Sequence, residues 1–389
     1  MLYIPPEIEY ILSVFEKNGC EAYLVGGCVR DMLTGTPPHD YDITTSAEPD
    51  YTMQLFEKTV PTGVKHGTVT VIYGGYSAEV TTYRSDGKYS DSRRPDSVTF
   101  VKTLKEDLAR RDFTVNALAY SPSEGIKDYF GGSEDIEKKL LRAVGDPMRR
   151  FKEDALRILR LFRFSSVLGF EIEAETLNAA LKSASLLKCI SSERILEELE
   201  KTLAGVNPAA LKPLTDAGGL GFLGLKQSPD YERLSGLQNS GISLFAFLYL
   251  TGADILRALE LLKAPNKTKK TADKLLRLIE APFPDSKPEI KEMLYFCGAE
   301  TFGKYLAFEK AVLKRDTEKA EKMLLGIIRD REPYRISDLE INGKELKALG
   351  ITGISTGKTL EALRRLVNEE PELNKKNILL QKAKEFNRN

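Results

Sequence analysis

Between residues 5 and 18, PPEIEYILSVFEKN, apolar side chains recur at Ile8, Ile11, Leu12 and Phe15, a spacing that predicts a helix with one buried face. The period then changes. EAYLVGG, residues 21–27, is a short apolar run closed by Gly26 and Gly27, as expected of a strand entering a turn. Residues 67–83, GTVTVIYGGYSAEVTTY, hold two β-rich runs split by Gly74 and Gly75, which predicts a hairpin. From about Asp135 the strand signals fade. EDALRILRLFRFSSVLG, AETLNAALKSASLL and SSERILEELEKTLAG all read as helices, the last with serines placed to cap it. The pattern predicts an α+β multidomain chain, with a mixed-sheet head followed by all-α segments. Pro, Gly and Asn breaks place boundaries near residues 145, 205 and 315, giving segments 1–145, 146–205, 206–315 and 316–389.

Composition narrows the chemistry. Lys and Arg number 57, as do Asp and Glu, so contact with nucleic acid must come from local patches. Cys20, Cys28, Cys189 and Cys297 show no CxxC spacing, and no leader or long apolar run is present, so a cytoplasmic setting without a membrane partner is expected. His39 and His66 are the only imidazoles, which excludes histidine-clustered metal sites and leaves carboxylates to hold any catalytic metal.

Asp40 and Asp42 are such carboxylates. One residue apart on a strand, they project from the same face, and two hard oxygen donors suit magnesium. Two-metal phosphoryl transfer places its ions roughly 3.5 to 4 Å apart. Glu79, in SAEVTTY, is the candidate third acid, because a following strand could lie alongside. An isolated Asp-X-Asp is more often a solvated edge, but the residues upstream favour the site. Gly26 and Gly27 let backbone N–H groups approach a triphosphate, CVRD opens a helix whose dipole favours anions, and Arg30 adds a fixed charge. GISTGKT (353–359) imitates a phosphate-binding loop but has three residues between its glycines where four are required. His66 has no ligand-spaced neighbour and reads as structural or RNA-facing.

With these residues in place, LVGGCVRD…HDYDITT resembles the signature of the DNA-polymerase-β-like nucleotidyltransferases. ARRDFTVNALAY (109–120) and RFKEDALRILRLFRF (150–164) resemble the class II bacterial branch, which comprises tRNA nucleotidyltransferases and bacterial poly(A) polymerases. SSERILEELEKTL is similar to that branch's helix supporting the nucleotide site, and residues 338–380 resemble the tail of CCA-adding enzymes, which accounts for the false phosphate loop. The resemblance implies a nucleotidyltransferase head, a neck with the nucleotide-selecting site, and a helical body and tail that bind tRNA. It assigns base reading to Asp154 and Arg157, nucleotide contacts to Arg160, Arg163 and Arg111, and a link to the ribose to Asp112, with Asn116 bracing that loop.

The base-reading assignment has a physical basis. On one helix, Asp154 and Arg157 would be neighbours at i and i+3. Asp only accepts hydrogen bonds and Arg only donates them. Cytosine and adenine each offer an amine beside an unprotonated ring nitrogen, whereas uracil and guanine offer the reverse. One such pair discriminates by about 1 to 3 kcal/mol per wrong base. Without the resemblance, EDALR would be read as an ordinary Glu153–Arg157 ion pair worth about 0.3 to 0.5 kcal/mol.

The expected reaction is template-independent addition of C, C and A to tRNA from CTP and ATP. Gly87, Pro95 and polar residues mark segment 83–100 as a mobile loop; the resemblance implies that relatives adding only CC carry it shortened, so its intact length argues against CC-only addition but fits CCA and A-only addition equally. A bacterial poly(A) polymerase is the nearest rival, and a non-catalytic RNA-binding relative the alternative of another class. The resemblance also implies binding of the tRNA acceptor and T arms, to which Lys267, Lys269, Lys270 and Lys274 could contribute, and a homodimer. Longer relatives carry a histidine-rich phosphohydrolase domain that two histidines cannot build.

Overall fold

The apolar spacing at the start of the chain becomes helix α1 (Pro6–Lys17), which buries Ile8, Ile11, Leu12 and Phe15. The computed structural model describes residues 2–86, 98–237 and 241–387. They form two compact units, Met1–Ser228 and Pro229–Asn389.

In the first unit the strands are β1 (Ala22–Val25), β2 (Tyr41–Thr45), β3 (Thr59–Gly63), β4 (Thr68–Tyr73), β5 (Tyr76–Thr82), β6 (Arg84–Asp86), β7 (Val98–Phe100), β8 (Leu118–Ser121) and β9 (Gly125–Asp128). Seven of them form one sheet in the order β3-β4-β5-β2-β1-β8-β9. The β4–β5 hairpin turns at Gly74 and Gly75, both with positive φ, as the sequence predicts. Every neighbouring pair in that sheet is antiparallel except β2 and β5, which run parallel with Asp42 opposite Glu79. The helix Pro49–Leu55 between β2 and β3 carries the chain back so that β3 runs in the direction of β2, and the two antiparallel steps to β4 and β5 then leave β5 parallel to β2. Around the sheet lie α2 (Gly27–Leu33), α3 (Pro49–Leu55), α4 (Leu104–Ala109) and α5 (Gly132–Glu137). The segment read as a mobile loop keeps its stem, β6 paired with β7, while residues 87–97 lie outside the described residues.

Helices dominate afterwards: α6 (Pro147–Glu153), α7 (Leu156–Leu168), α8 (Ala174–Lys182), α9 (Ser192–Leu203) and α10 (Lys212–Asp216). Two paired dipeptide strands, β10 (Leu140–Leu141) and β11 (Glu171–Ile172), are too short to leave a period in the sequence. Contrary to expectation, EDALR does not lie on a single helix, because the chain breaks at Asp154, whose backbone is extended (φ −137°, ψ 106°). Asp154 Oδ1 accepts the N–H of Leu156 at 2.9 Å and so starts α7. This is the usual competition of an aspartate side chain with the helix ladder.

The second unit contains α11 (Ser243–Leu250), α12 (Ile255–Leu261), α13 (Asn266–Glu280), α14 (Lys287–Cys297), α15 (Ala299–Ala311), α16 (Glu318–Arg329), α17 (Gly343–Ala348), α18 (Ile354–Glu369) and α19 (Lys376–Phe386). Leu339, Ile341, Leu346, Ile351, Leu363, Val367, Leu379 and Ala383 form a core at its C-terminal end. Gly357, Lys358 and Thr359 of the false phosphate loop lie inside α18. Among the described residues no helix is long and apolar enough to cross a membrane.

Candidate active site

Gly26 ends β1 with φ +75° and ψ −129°, and a Cβ there would lie 2.6 Å from Arg111 Nη1. The backbone angle requires glycine, and a Cβ would in addition force the Arg111 guanidinium to shift. Gly27 opens α2 with no such strain; its Cβ would sit 3.6 Å from Arg30 Nη2, an ordinary contact.

Arg30 is buried on α2. It donates to Asn116 Oδ1 at 2.5 Å and, through Nε and Nη2, to Asp31 Oδ1 at 2.9 and 2.7 Å. Asn116 in turn donates to Asp112 Oδ1 at 3.1 Å, so it links the two residues rather than merely bracing a loop. Asp112 Oδ1 also accepts the Phe113 N–H, and Oδ2 accepts Arg160 Nε at 2.8 Å and lies 2.7 Å from its Nη2. Burial alone would raise the Asp112 pKa; Arg160, Asn116 and Arg157 outweigh it and hold the carboxyl at about 2.

Asp42 and Glu79 face each other across β2 and β5, on the exposed positions of both strands. Asp40 lies in the bend before β2 rather than on the strand, because pairing with β5 begins only at Tyr41. The Asp42 carboxylate reaches solvent but is hemmed in by protein. This confinement raises its pKa, Arg111 opposes the rise, and Glu79 and Asp40 add to it. Asp42 therefore feels the charges of both Glu79 and Asp40. Among the described residues no three carboxylate, thiol or imidazole groups are drawn together as a ready-made metal cage. The donors are nonetheless all hard oxygens, the type that magnesium takes.

At the break between α6 and α7, Asp154 Oδ2 accepts from Arg194 Nη2 on α9 at 3.0 Å. Arg157 donates to Glu153 Oε2 at 2.9 Å, to the Arg150 carbonyl at 3.2 Å and to the Arg110 carbonyl at 2.8 Å. The Glu153–Arg157 ion pair is thus present, and the partner of Asp154 is Arg194. Arg194 was not singled out in the sequence, since 40 residues separate it from Asp154. Its only signal was membership of SSERILEELEKTL.

A cluster of arginines lies nearby. Arg163 Nε is 3.0 Å from Glu198 Oε2 on α9, at an angle that makes no hydrogen bond. Burial lowers the Arg163 pKa, Glu198 opposes this, and the like charges of Arg160 and Arg30 add to the lowering. Arg111 is similarly lowered by burial, with Asp107 and Asp42 opposing. Arg111 Nε, Arg163 Nε and Arg194 Nη1 are buried N–H groups with no hydrogen-bond acceptor. Buried donors without a hydrogen bond are costly and rare, and here all three belong to arginines, of which Arg163 keeps Glu198 and Arg194 keeps Asp154 as an ion partner. Such a set suits a polyanion.

Residues 22–142 match the family described as the poly(A) polymerase head domain, and residues 169–222 match the probable RNA- and SrmB-binding site of polymerase A. The CCA-adding enzyme of Staphylococcus haemolyticus is 37% identical over 96% of each chain. That of Geobacillus thermodenitrificans is 52% identical over 210 residues, an alignment spanning 54% of this chain and 52% of that protein. The crystal structure of the Bacillus stearothermophilus CCA-adding enzyme in complex with CTP superimposes with a TM-score of 0.82, at 33% identity, covering 99% of this chain and 98% of that one. With likeness extending over nearly the whole chain in both sequence and fold, the protein belongs to the CCA-adding enzymes of the bacterial class II branch of the DNA-polymerase-β-like nucleotidyltransferases.

Proposed function

We propose that this protein adds C, C and A to the 3′ end of tRNA from CTP and ATP, releasing pyrophosphate, with the base chosen by protein side chains rather than by a template. The observation that carries the reading is the joining of three features in one unit: a glycine turn beside buried Arg111, whose Nε has no hydrogen-bond acceptor, a carboxylate pair on adjacent strands, and Asp154 with Arg157 at a helix break.

In this mechanism the backbone at Gly26 and Gly27, with Arg30, Arg111, Arg160 and Arg163, receives the triphosphate. Asp154 accepts from the exocyclic amine of cytosine or adenine, and Arg157 donates to the adjacent ring nitrogen. Asp154 can do so while paired to Arg194, since each carboxylate oxygen carries two lone pairs. Asp112 anchors Arg160 and, through Asn116, Arg30, which ties the ribose side of the site to the phosphate side. Asp40, Asp42 and Glu79 would hold magnesium, with Asp42 and Glu79 as donors from adjacent strands. When bound, the metal lowers the pKa of the attacking 3′-hydroxyl and steadies the leaving oxygen.

The reading divides the chain into a head (1–145), a neck with the nucleotide-selecting site (146–205), a body (206–315) and a tail (316–389). Body and tail helices would hold the acceptor and T arms by shape and phosphate contacts, with Lys267, Lys269, Lys270 and Lys274 of α13 contributing. A cytoplasmic homodimer completes the proposal.

The test is incubation with magnesium and three tRNA transcripts, ending before CCA, after one C and after CC, with each NTP singly and together. Growth of all three to CCA followed by a stop is expected. Extension of the CC-ended transcript alone would make this an A-adding enzyme, and an unlimited A ladder a poly(A) polymerase.

A further inference from the structure

Three of the arginines assigned above to the nucleotide share one neighbour that no hydrogen bond reveals. The guanidinium carbons of Arg163, Arg160 and Arg30 lie over the ring of Phe164 at 4.2, 5.1 and 5.2 Å from its centroid. Two of these cations come from the same helix as the ring, at positions i−1 and i−4, while Arg30 arrives from α2. The ring is itself held edge-on by Phe113, centroids 5.8 Å apart at 81°, one residue after Asp112. Phe164 is half-buried although it sits among charges, so packing in an apolar core does not explain it.

The electrostatics make the arrangement useful. Three guanidinium groups packed together repel one another, and a low-dielectric setting increases that repulsion. Arg160 and Arg163 each have one carboxylate partner, Asp112 and Glu198, and Arg30 has two polar partners, Asn116 and Asp31. A further carboxylate in the middle would relieve the repulsion but would also neutralise the field that a phosphate needs. An aromatic face attracts cations through its quadrupole and carries no net charge.

We propose that Phe164 is a positioning residue, whose ring holds Arg30, Arg160 and Arg163 in a fixed fan around the triphosphate without supplying an anion that competes with it. This rests on the reading of the site given under Proposed function. The ring acts on the phosphates through the arginines and does not touch the base, so its effect is the same for every nucleotide.

The experiment measures binding of inorganic pyrophosphate, CTP and UTP by calorimetry, with magnesium, to the full chain and to Phe164→Leu and Phe164→Tyr, each checked by circular dichroism and melting temperature. Cation–π contacts of this burial predict that Phe164→Leu weakens pyrophosphate and CTP by the same factor, roughly tenfold, with the CTP to UTP ratio within about twofold of wild type. Phe164→Tyr, which keeps the π face, is expected to bind pyrophosphate within about twofold of wild type. Should Phe164→Leu fail to fold, Phe164→Met removes the ring while keeping bulk and carries the same test. Wild-type pyrophosphate affinity in a folded Leu or Met variant overturns the proposal. So does a tyrosine variant as weak as leucine, or a change confined to the CTP to UTP ratio. A wild-type protein that binds neither CTP nor pyrophosphate overturns the functional reading itself, which separates the two failures.

Discussion

Replacing Asp112 by asparagine keeps the shape of the side chain and removes its charge. In the folded protein the carboxyl is buried and held at about 2 against an ordinary value of 3.8. At 1.36 kcal/mol per tenfold, that difference contributes about 2 to 3 kcal/mol of stability. The folded pKa is the lower one, so the contribution is fully present above about pH 4 and is lost as the pH falls toward 2. In the asparagine variant the amide oxygen can still accept from Asn116 and the Phe113 N–H, but its NH2 then faces the guanidinium of Arg160, donor against donor. Leaving a buried cation unpaired in this way costs about 3 to 5 kcal/mol, reduced here because Arg160 is one-third exposed. Urea unfolding followed by circular dichroism at pH 7 should therefore place Asp112→Asn about 2 to 3 kcal/mol below wild type, and the gap should narrow to about 1 kcal/mol as both are taken from pH 4 to pH 2.5. A gap that stays constant over that range, or one below about 0.5 kcal/mol at pH 7, would refute the account of Asp112 as the charged anchor.

Other expectations concern nucleotide transfer. Asp42→Ala should abolish addition of every NTP while leaving the circular dichroism spectrum unchanged; turnover near wild type would move the metal site elsewhere. Arg157→Ala should erode discrimination of C and A from U and G, by roughly ten- to a hundredfold, more than it weakens tRNA binding in a filter assay. The adjacent glycines should separate. Gly26→Ala should destabilise by about 1 to 3 kcal/mol because of its backbone angles, whereas Gly27→Ala should melt near wild type yet raise KM for both nucleotides.

Several features were legible in the chain because they depend on neighbours in sequence. The face of α1 and the β4–β5 hairpin follow from spacing and from paired glycines, which local geometry reads directly. The false phosphate loop could be dismissed by counting residues, and it proved to be the first turns of a helix. The helix break at Asp154 was not legible, since no Pro or Gly marks it and an aspartate caps or continues a helix according to where its carboxylate finds a donor. The pairing of Asp154 with Arg194 and of Arg163 with Glu198 joins residues tens of positions apart, and only the packing of α7 on α9 selects those partners.

By itself, then, the sequence determined the order of sheet and helix, the glycine turn, the acidic and basic residues available, and the exclusion of an imidazole metal site, all of which are short-range or compositional properties. The tertiary structure alone decided that β5 runs parallel to β2, setting Glu79 opposite Asp42, that Asp112 holds Arg160, and that three arginines converge on Phe164. Those choices depend on which distant segments share a core. Hydrophobic burial selects such contacts without regard to direction, and the polar groups then pair within the geometry that burial has fixed.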